Sequence, residues 1–312
     1  MAQTTVDPRA WRADTIDKPV SWYYPLAESC LAMLNPTVEQ APETIDQVTA
    51  LRLPDSVRAA CAEQLQPVSV ALESGRGFAV IDSIPVERYS RLEATSLYWL
   101  IGQALGVPFE QNTQGTLLYD VRDTGQSVQY GARFSVTNAE SSFHTDNSFG
   151  DTILDYVGLL SLRSAKSGGQ SQVVSGYAVV QELANRHPDA LEILSQPFHI
   201  DRRGGVRDGE APTAHHPIID WENRGLCLRY LRYWIEAGHE KAREPLTPEQ
   251  VRALDSLDAV ANRREFRVDF ALRPGQMFFI NNRWILHNRT AFEDHAEPEN
   301  RRHYVRLWLM GE

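Results

Sequence analysis

The chain has 312 residues, 42% of them hydrophobic and 23% charged, which is enough apolar material for a sizeable core and unlike a disordered or fibrous polypeptide. With 41 acidic against 31 basic residues the net charge is -10, so the basic footprint with which nucleic-acid binders displace counterions is missing. No apolar run is long enough to cross a bilayer, no signal peptide opens the N-terminus, and Cys30, Cys61 and Cys227 are far apart, forming neither a CxxC nor a disulfide framework; the expected setting is a reducing cytoplasm and the expected partner a small molecule.

Up to about residue 105 the pattern reads mainly helical. Apolar residues recur at helical spacing over 44–65 and 86–105, and 77–81 forms a short strand between them. From residue 116 onward short β-like runs take over, at 127–136, 156–162, 172–175 and 225–231, separated by Gly, Asn and Asp. Two helical stretches interrupt them. One covers 179–194, with His187 ahead of Pro188 at a helix–helix turn. The other covers 247–263 and opens on Thr247-Pro248, an N-cap followed by proline in the first turn. The run 266–272 follows, then Pro274-Gly275, a turn signal before 277–280, and 304–309 closes the chain. Many short strands with few βαβ alternations favour a sandwich or barrel over a doubly wound sheet.

Of nine histidines, His144 stands out for its company in Phe143-His144-Thr145-Asp146. Residues i and i+2 of a strand share a face, so one imidazole and one carboxylate would aim at a common point. A third ligand is best supplied by His287, which follows the run 277–280. Two histidines and one carboxylate on one face of an octahedron leave three positions open, as iron(II) oxygenases require. An isolated HxD also arises by chance, as a surface histidine beside a strand-end aspartate. Arg302 and Arg306 add weight: on a strand, 302, 304 and 306 share a face, and a guanidinium fork suits a buried carboxylate. The bland reading of these arginines is a solvated basic edge strand.

The motifs His144-Thr145-Asp146, Gly168-Gly169-Gln170-Ser171, Asn281 through His287 with its LHxR ending, and Arg301 through Arg306 together resemble the taurine dioxygenase/TfdA family. That family includes clavaminate synthase-like enzymes and is similar to γ-butyrobetaine hydroxylase. Order and spacing are kept from about residue 75 to the C-terminus. The resemblance implies a mainly β fold with helical additions (α+β), built on a double-stranded β-helix (jelly-roll, cupin-like) core. Residues 1–312 would form a single catalytic domain, with a mainly helical part, 1–105, packed on a jelly-roll core, 106–312. It implies Fe(II) held by His144, Asp146 and His287, with 2-oxoglutarate and O2 as cosubstrates. Arg302 would bind the distal carboxylate of 2-oxoglutarate, Ser171 would supply a hydroxyl where the family often has threonine, and Arg306 would lie close to the cosubstrate. Halogenases of this superfamily have Ala or Gly in place of the carboxylate ligand. Asp146 keeps it, so hydroxylation, or a related desaturation or C–heteroatom cleavage, is expected, with release of succinate and CO2.

Candidate substrate residues are Tyr130, Arg133, Ser135, Asn138 and Glu140 before the HxD, Asn147 after it, and Arg229 and Tyr230 later. Glu140 holds the position from which the family's asparagine meets taurine. It would repel a sulfonate and pair with an amine, which points to an amino acid or betaine-like zwitterion whose carboxylate meets Arg306 or Arg133. The cluster Trp22-Tyr23-Tyr24 reads as core or subunit contact before it reads as a cap over a cationic substrate, and the stretch 199–217 reads as a lid or a loose connection. Other classes stay open: a metal-binding jelly roll without redox chemistry, and a non-catalytic binding protein. A homo-oligomer is compatible with all of them.

Overall fold

The structure, a computed structural model, describes residues 7–39, 42–82, 84–126, 134–203, 205–206 and 209–311. Among them are eight α-helices: α1 (Glu28–Val38), α2 (Ile45–Ala50), α3 (Asp55–Glu73), α4 (Arg91–Leu105), α5 (Gly176–Arg186), α6 (Pro188–Leu194), α7 (Arg232–Ala242) and α8 (Pro248–Ala261). Complete capping boxes start α2 (Thr44 with Gln47), α4 (Ser90 with Glu93) and α8 (Thr247 with Gln250), each satisfying two orphan N–H groups. These local signals move the boundaries read from periodicity. The stretch 44–65 is two helices, because Pro54 lacks a donor and pushes Leu53 out of helical conformation. The helix expected from residue 86 starts only after its cap at Ser90. Residues 179–194 break at His187, whose φ of -140° precedes Pro188. Helix α7 was not anticipated.

The strands are β1 (Tyr23–Pro25), β2 (Phe78–Asp82), β3 (Val107–Phe109), β4 (Leu118–Val121), β5 (Tyr156–Arg163), β6 (Ser167–Gly168), β7 (Ser171–Ser175), β8 (Pro197–Asp201), β9 (Thr213–Pro217), β10 (Ile219–Glu222), β11 (Gly225–Leu228), β12 (Arg267–Phe270), β13 (Met277–Asn281), β14 (Ile285–Arg289), β15 (Phe292–Glu293) and β16 (His303–Met310). A seven-stranded sheet has the order β1-β2-β13-β5-β16-β3, with β4 also paired to β16; a three-stranded sheet has the order β12-β7-β14. Apart from the parallel β1–β2 pair, these pairings are antiparallel.

The period-2 alternation of strand side chains builds two cores from one sheet. Phe278 and Ile280 of β13 join a buried cluster with Val173, Ile285 and Leu286 of the small sheet. Met277 and Phe279 point the other way and join Leu34, Leu72 and Leu97 of α1, α3 and α4. Both faces of β13 are thus covered, which is why its sequence is a continuous apolar run. Truncating Phe279 to alanine would cost about 3–5 kcal/mol through the cavity left behind. On the helical side α4 lies directly on β16: a Cβ at Gly102 would fall 2.3 Å from Leu307 Cδ2.

Several expectations change. Residues 127–133 lie outside the described residues, and Phe134–Val136 is a 3-10 turn rather than the end of a strand. The stretch 199–217 contains the β8–β9 hairpin, so His199, His215 and His216 sit on paired strands rather than in a loop. Trp22 is core, 5.3 Å from the Phe78 ring and 6.1 Å from Phe270. Cys30 and Cys61, remote in sequence, meet between α1 and α3 with their sulfurs 3.5 Å apart as free thiols. No helix of the described residues is long and apolar enough to cross a membrane. The architecture is a mixed α/β fold in which β1 and β2, from the mainly helical first third, complete the large sheet.

Candidate metal centre and pocket

His144 and His287 reach each other across a two-sided backbone bridge. His144 N donates to His287 O at 3.0 Å and His287 N donates to His144 O at 2.9 Å. Their rings stand 4.2 Å apart. This single bridge replaces the strand expected through the HxD. The chain then turns, and Asn147 adopts a left-handed φ of 55°, a conformation that asparagine tolerates better than most residues. Asn282 fixes the turn from the large sheet's side: its Oδ1 accepts from Asp146 N at 2.7 Å and its Nδ2 donates to Asp146 O at 2.9 Å. Thr145, facing away, donates to Leu228 O and receives Tyr230 N.

The three side chains place their ligand atoms within 4.8 Å of one another. Asp146 Oδ1 lies 3.5 Å from His144 Nε2 and 3.8 Å from His287 Nε2. Its other oxygen is committed elsewhere. Oδ2 accepts from the Trp308 indole at 2.8 Å and lies 3.1 Å from Arg306 Nη1. Arg306 is in turn oriented by Gln111, whose Oε1 accepts from Nε at 2.8 Å while its Nε2 donates to the Arg306 carbonyl.

Protonation states follow from these partners. Burial alone would raise the Asp146 carboxyl; the Arg306 guanidinium, then the two histidines, outweigh it and hold it well below the usual carboxylate range. Burial, and then His144, push His287 down to about 3, so its imidazole is neutral at pH 7. His144 Nδ1 lies 2.7 Å from the Ser142 carbonyl; an acceptor there takes the Nδ1–H and turns Nε2 toward the centre. An anionic oxygen and two converging imidazole nitrogens fit a divalent cation such as iron(II).

A pocket opens beside this cluster, lined on its apolar side by Val121, Phe134, Leu159, Phe278 and Trp308, with Phe149, Leu231 and Trp234 also in the wall. Asp146 is the only acid among the described lining residues; Arg203, Arg289, Arg302 and Arg306 are the cations. Arg302 precedes β16 instead of lying within it. It is buried, 3.8 Å over the Tyr304 ring, and its Nε has no hydrogen-bond partner. A desolvated guanidinium with an unpartnered Nε, in a pocket beside this cluster, fits the carboxylate of a 2-oxo acid. Ser171 lines the same pocket. The Gly-Gly ahead of it is a backbone requirement: Gly168 and Gly169 have φ of 70° and 67°, and a Cβ at Gly168 would fall 2.2 Å from Ala291 O.

Of the expected substrate residues, Ser135 and Asn147 line the pocket. Tyr130 and Arg133 lie outside the described residues. Asn138 and Glu140 are exposed and absent from the lining, because the turn at residues 134–137 carries them to the surface. Tyr230 is fully buried and turned toward α8, donating to Asp258 at 2.6 Å. Arg229 is also buried and donates to the carbonyls of Ser148 and Gly150, bracing the turn after the HxD. Sequence reasoning missed Gln111, Asn282, Trp308 and Arg289. The Asn282 and Arg289 contacts were findable, since both residues flank His287 in a motif already singled out.

The family model described as "Taurine catabolism dioxygenase TauD, TfdA family" matches residues 38–308. FR-33289 synthase of Streptomyces rubellomurinus is 27% identical over 97% of this chain and 89% of its own length. Gamma-butyrobetaine dioxygenase of Homo sapiens is 26% identical over 52% of this chain and 42% of its own length. Among solved structures, asparagine oxygenase in complex with Fe(II), 2S,3S-3-hydroxyasparagine and succinate superposes with a TM-score of 0.66 at 18% identity, covering 93% of each chain. The non-heme iron oxygenase OrfP in complex with Fe and alpha-ketoglutaric acid gives 0.60 at 17%, covering 93% of this chain and 94% of that one.

Proposed function

Because this chain belongs to the TauD/TfdA family and is a 2-oxoglutarate-dependent non-haem iron dioxygenase, we propose that it hydroxylates a small amino acid or betaine-like molecule, with release of succinate and CO2. The observation that carries this reading is the convergence of His144, Asp146 and His287, remote in sequence, within 4.8 Å, beside a pocket where the buried Arg302 has an unpartnered Nε. Iron(II) and 2-oxoglutarate, when bound, supply the oxidising power drawn from dioxygen.

The chain's own residues bind, orient and exclude water. His144 Nε2, Asp146 Oδ1 and His287 Nε2 would hold the iron. Arg302 would pair with the distal carboxylate of 2-oxoglutarate and the Ser171 hydroxyl would hydrogen-bond to it. Arg306 acts on the site by keeping Asp146 ionised and turned, so its place near the cosubstrate is that of a brace. The apolar wall keeps water from the substrate C–H bond. We read residues 1–312 as one catalytic unit on a double-stranded β-helix core; the two facing sheets and the strands β1 and β2 support this. The free thiols support a cytoplasmic setting.

The test is anaerobic addition of Fe(II) and 2-oxoglutarate. The expected result is a visible metal-to-ligand charge-transfer band that Asp146→Ala loses, and substrate-stimulated succinate release on admitting air when amino acids and betaines are screened. Absence of iron-dependent 2-oxoglutarate binding would overturn the reading.

A further inference from the structure

Arg289 has no work in the scheme above, yet its surroundings are those of a ligand-binding cation. It stands two residues past His287 on β14, so the two side chains share a face. It pairs in register with Ser171 of β7, and directly paired residues project to the same side of a sheet. Both line the pocket. One terminal nitrogen, Nη2, donates to the carbonyls of Phe134 and Ala139. The other, Nη1, is buried with no partner.

Arg302 repeats the pattern, with its buried Nε unpartnered. The two guanidinium carbons lie 4.7 and 5.1 Å from the centre of the same ring, Phe292. Neither arginine forms an ion pair among the described residues. Asp294 gives Oδ1 to the backbone N–H of Arg302, and its Oδ2 is buried with no hydrogen-bond partner, but no ion pair joins it to either guanidinium among the described residues. Two desolvated cations around one ring, each with an idle donor, call for an anion between them. A carboxylate offers about four lone-pair sites on two oxygens and can accept from both.

We propose that Arg289 is a second cationic anchor for the distal carboxylate of 2-oxoglutarate, acting with Arg302 and Ser171. This rests on the cosubstrate role given to Arg302 above. It makes Arg289 a link, because the same guanidinium that meets the cosubstrate also holds the segment from Phe134 to Ala139 leading into His144.

The experiment compares 2-oxoglutarate with 2-oxovalerate, which keeps the chelating end and has a methyl in place of the distal carboxylate. Each is titrated anaerobically into the Fe(II)-loaded protein and followed by its charge-transfer absorption, with Mn(II)-loaded protein and calorimetry as the second readout. Arg289→Gln is expected to weaken 2-oxoglutarate about 10- to 100-fold, the range for a lost hydrogen bond to a charged group, and to leave 2-oxovalerate within about twofold. Arg289→Lys should recover part of the loss; if Arg289→Gln does not fold, an intermediate preference for 2-oxoglutarate in Arg289→Lys carries the test. Unchanged 2-oxoglutarate affinity in Arg289→Gln, alongside a loss in Arg302→Gln, overturns the proposal and leaves the cosubstrate reading intact. No loss in either variant overturns both. Equal weakening of both 2-oxo acids in Arg289→Gln assigns Arg289 a structural role and overturns the proposal.

Discussion

The Trp308 indole donates to Asp146 Oδ2 at 2.8 Å across 162 residues of sequence. The bond divides the carboxylate, so that one oxygen is tethered to β16 and the other faces the two imidazoles. Partners of this kind orient metal ligands, and losing one typically costs 10–100-fold in metal affinity. Trp308→Phe keeps most of the ring and removes the donor. It should weaken Co(II) or Fe(II) binding by about that factor, measured by anaerobic titration, with a melting temperature close to the parent's. Parental metal affinity would show that Arg306 alone holds the carboxylate.

His287 gives a pH prediction with a definite sign. Its folded-state pKa is pushed down to about 3, against about 6.5 for an unperturbed histidine. Between those values the unfolded chain binds a proton that the folded chain does not, so stability falls as pH drops from about 6.5 towards 3. Denaturant midpoints of metal-free protein at pH 7, 6 and 5 should decline, and His287→Gln should decline less. Equal slopes would show that His287 is accessible to protons in the folded state.

Gly168→Ala meets two penalties, a positive φ and a Cβ 2.2 Å from Ala291 O. Gly125→Ala meets only the first, since nothing lies within 4 Å of its Cβ. Thermal unfolding should show Gly125→Ala costing about 1–2 kcal/mol and Gly168→Ala clearly more, because backbone must move. Equal losses would mean that the β6–β15 contact yields easily.

Tyr230→Phe separates a structural tyrosine from a substrate-binding one. Loss of the bond to Asp258 should cost about 1 kcal/mol of stability. Metal affinity and uncoupled succinate release should stay at parental levels, because the hydroxyl faces α8. A selective drop in succinate release would return Tyr230 to the pocket.

The residues that meet at the candidate metal centre, and Arg302 in the pocket beside it, could be singled out because short motifs carried them: His144 with Asp146, and the arginines after His287. The geometry behind them was not. The HxD looked like a strand because its spacing is 2, whereas a bridge, an Asn147 turn and the Asn282 clamp do the positioning. None of those leaves a period. Helix ends were readable at Thr247 from its cap, and misread at residues 44–65, where the apolar spacing ran through Pro54. Tyr230 and Arg229 were misplaced for a related reason. A buried polar residue near a site looks the same in sequence whether it faces ligand or scaffold, and only the partners, Asp258 and the Ser148 and Gly150 carbonyls, decide. Contacts such as Gln111 with Arg306, 195 residues apart, have no sequence signature in a single chain.

Strand β16 turns Arg306 and Trp308 toward Asp146 and Leu307 toward the helical layer, where α4 touches it at Gly102. Bulk added at that remote helix therefore pushes on the strand that steers a metal ligand. The cost of an ill-chosen residue deep in the scaffold is paid twice, once as cohesion and once as grip on the ion, so drift in that helix face is constrained by chemistry it never contacts.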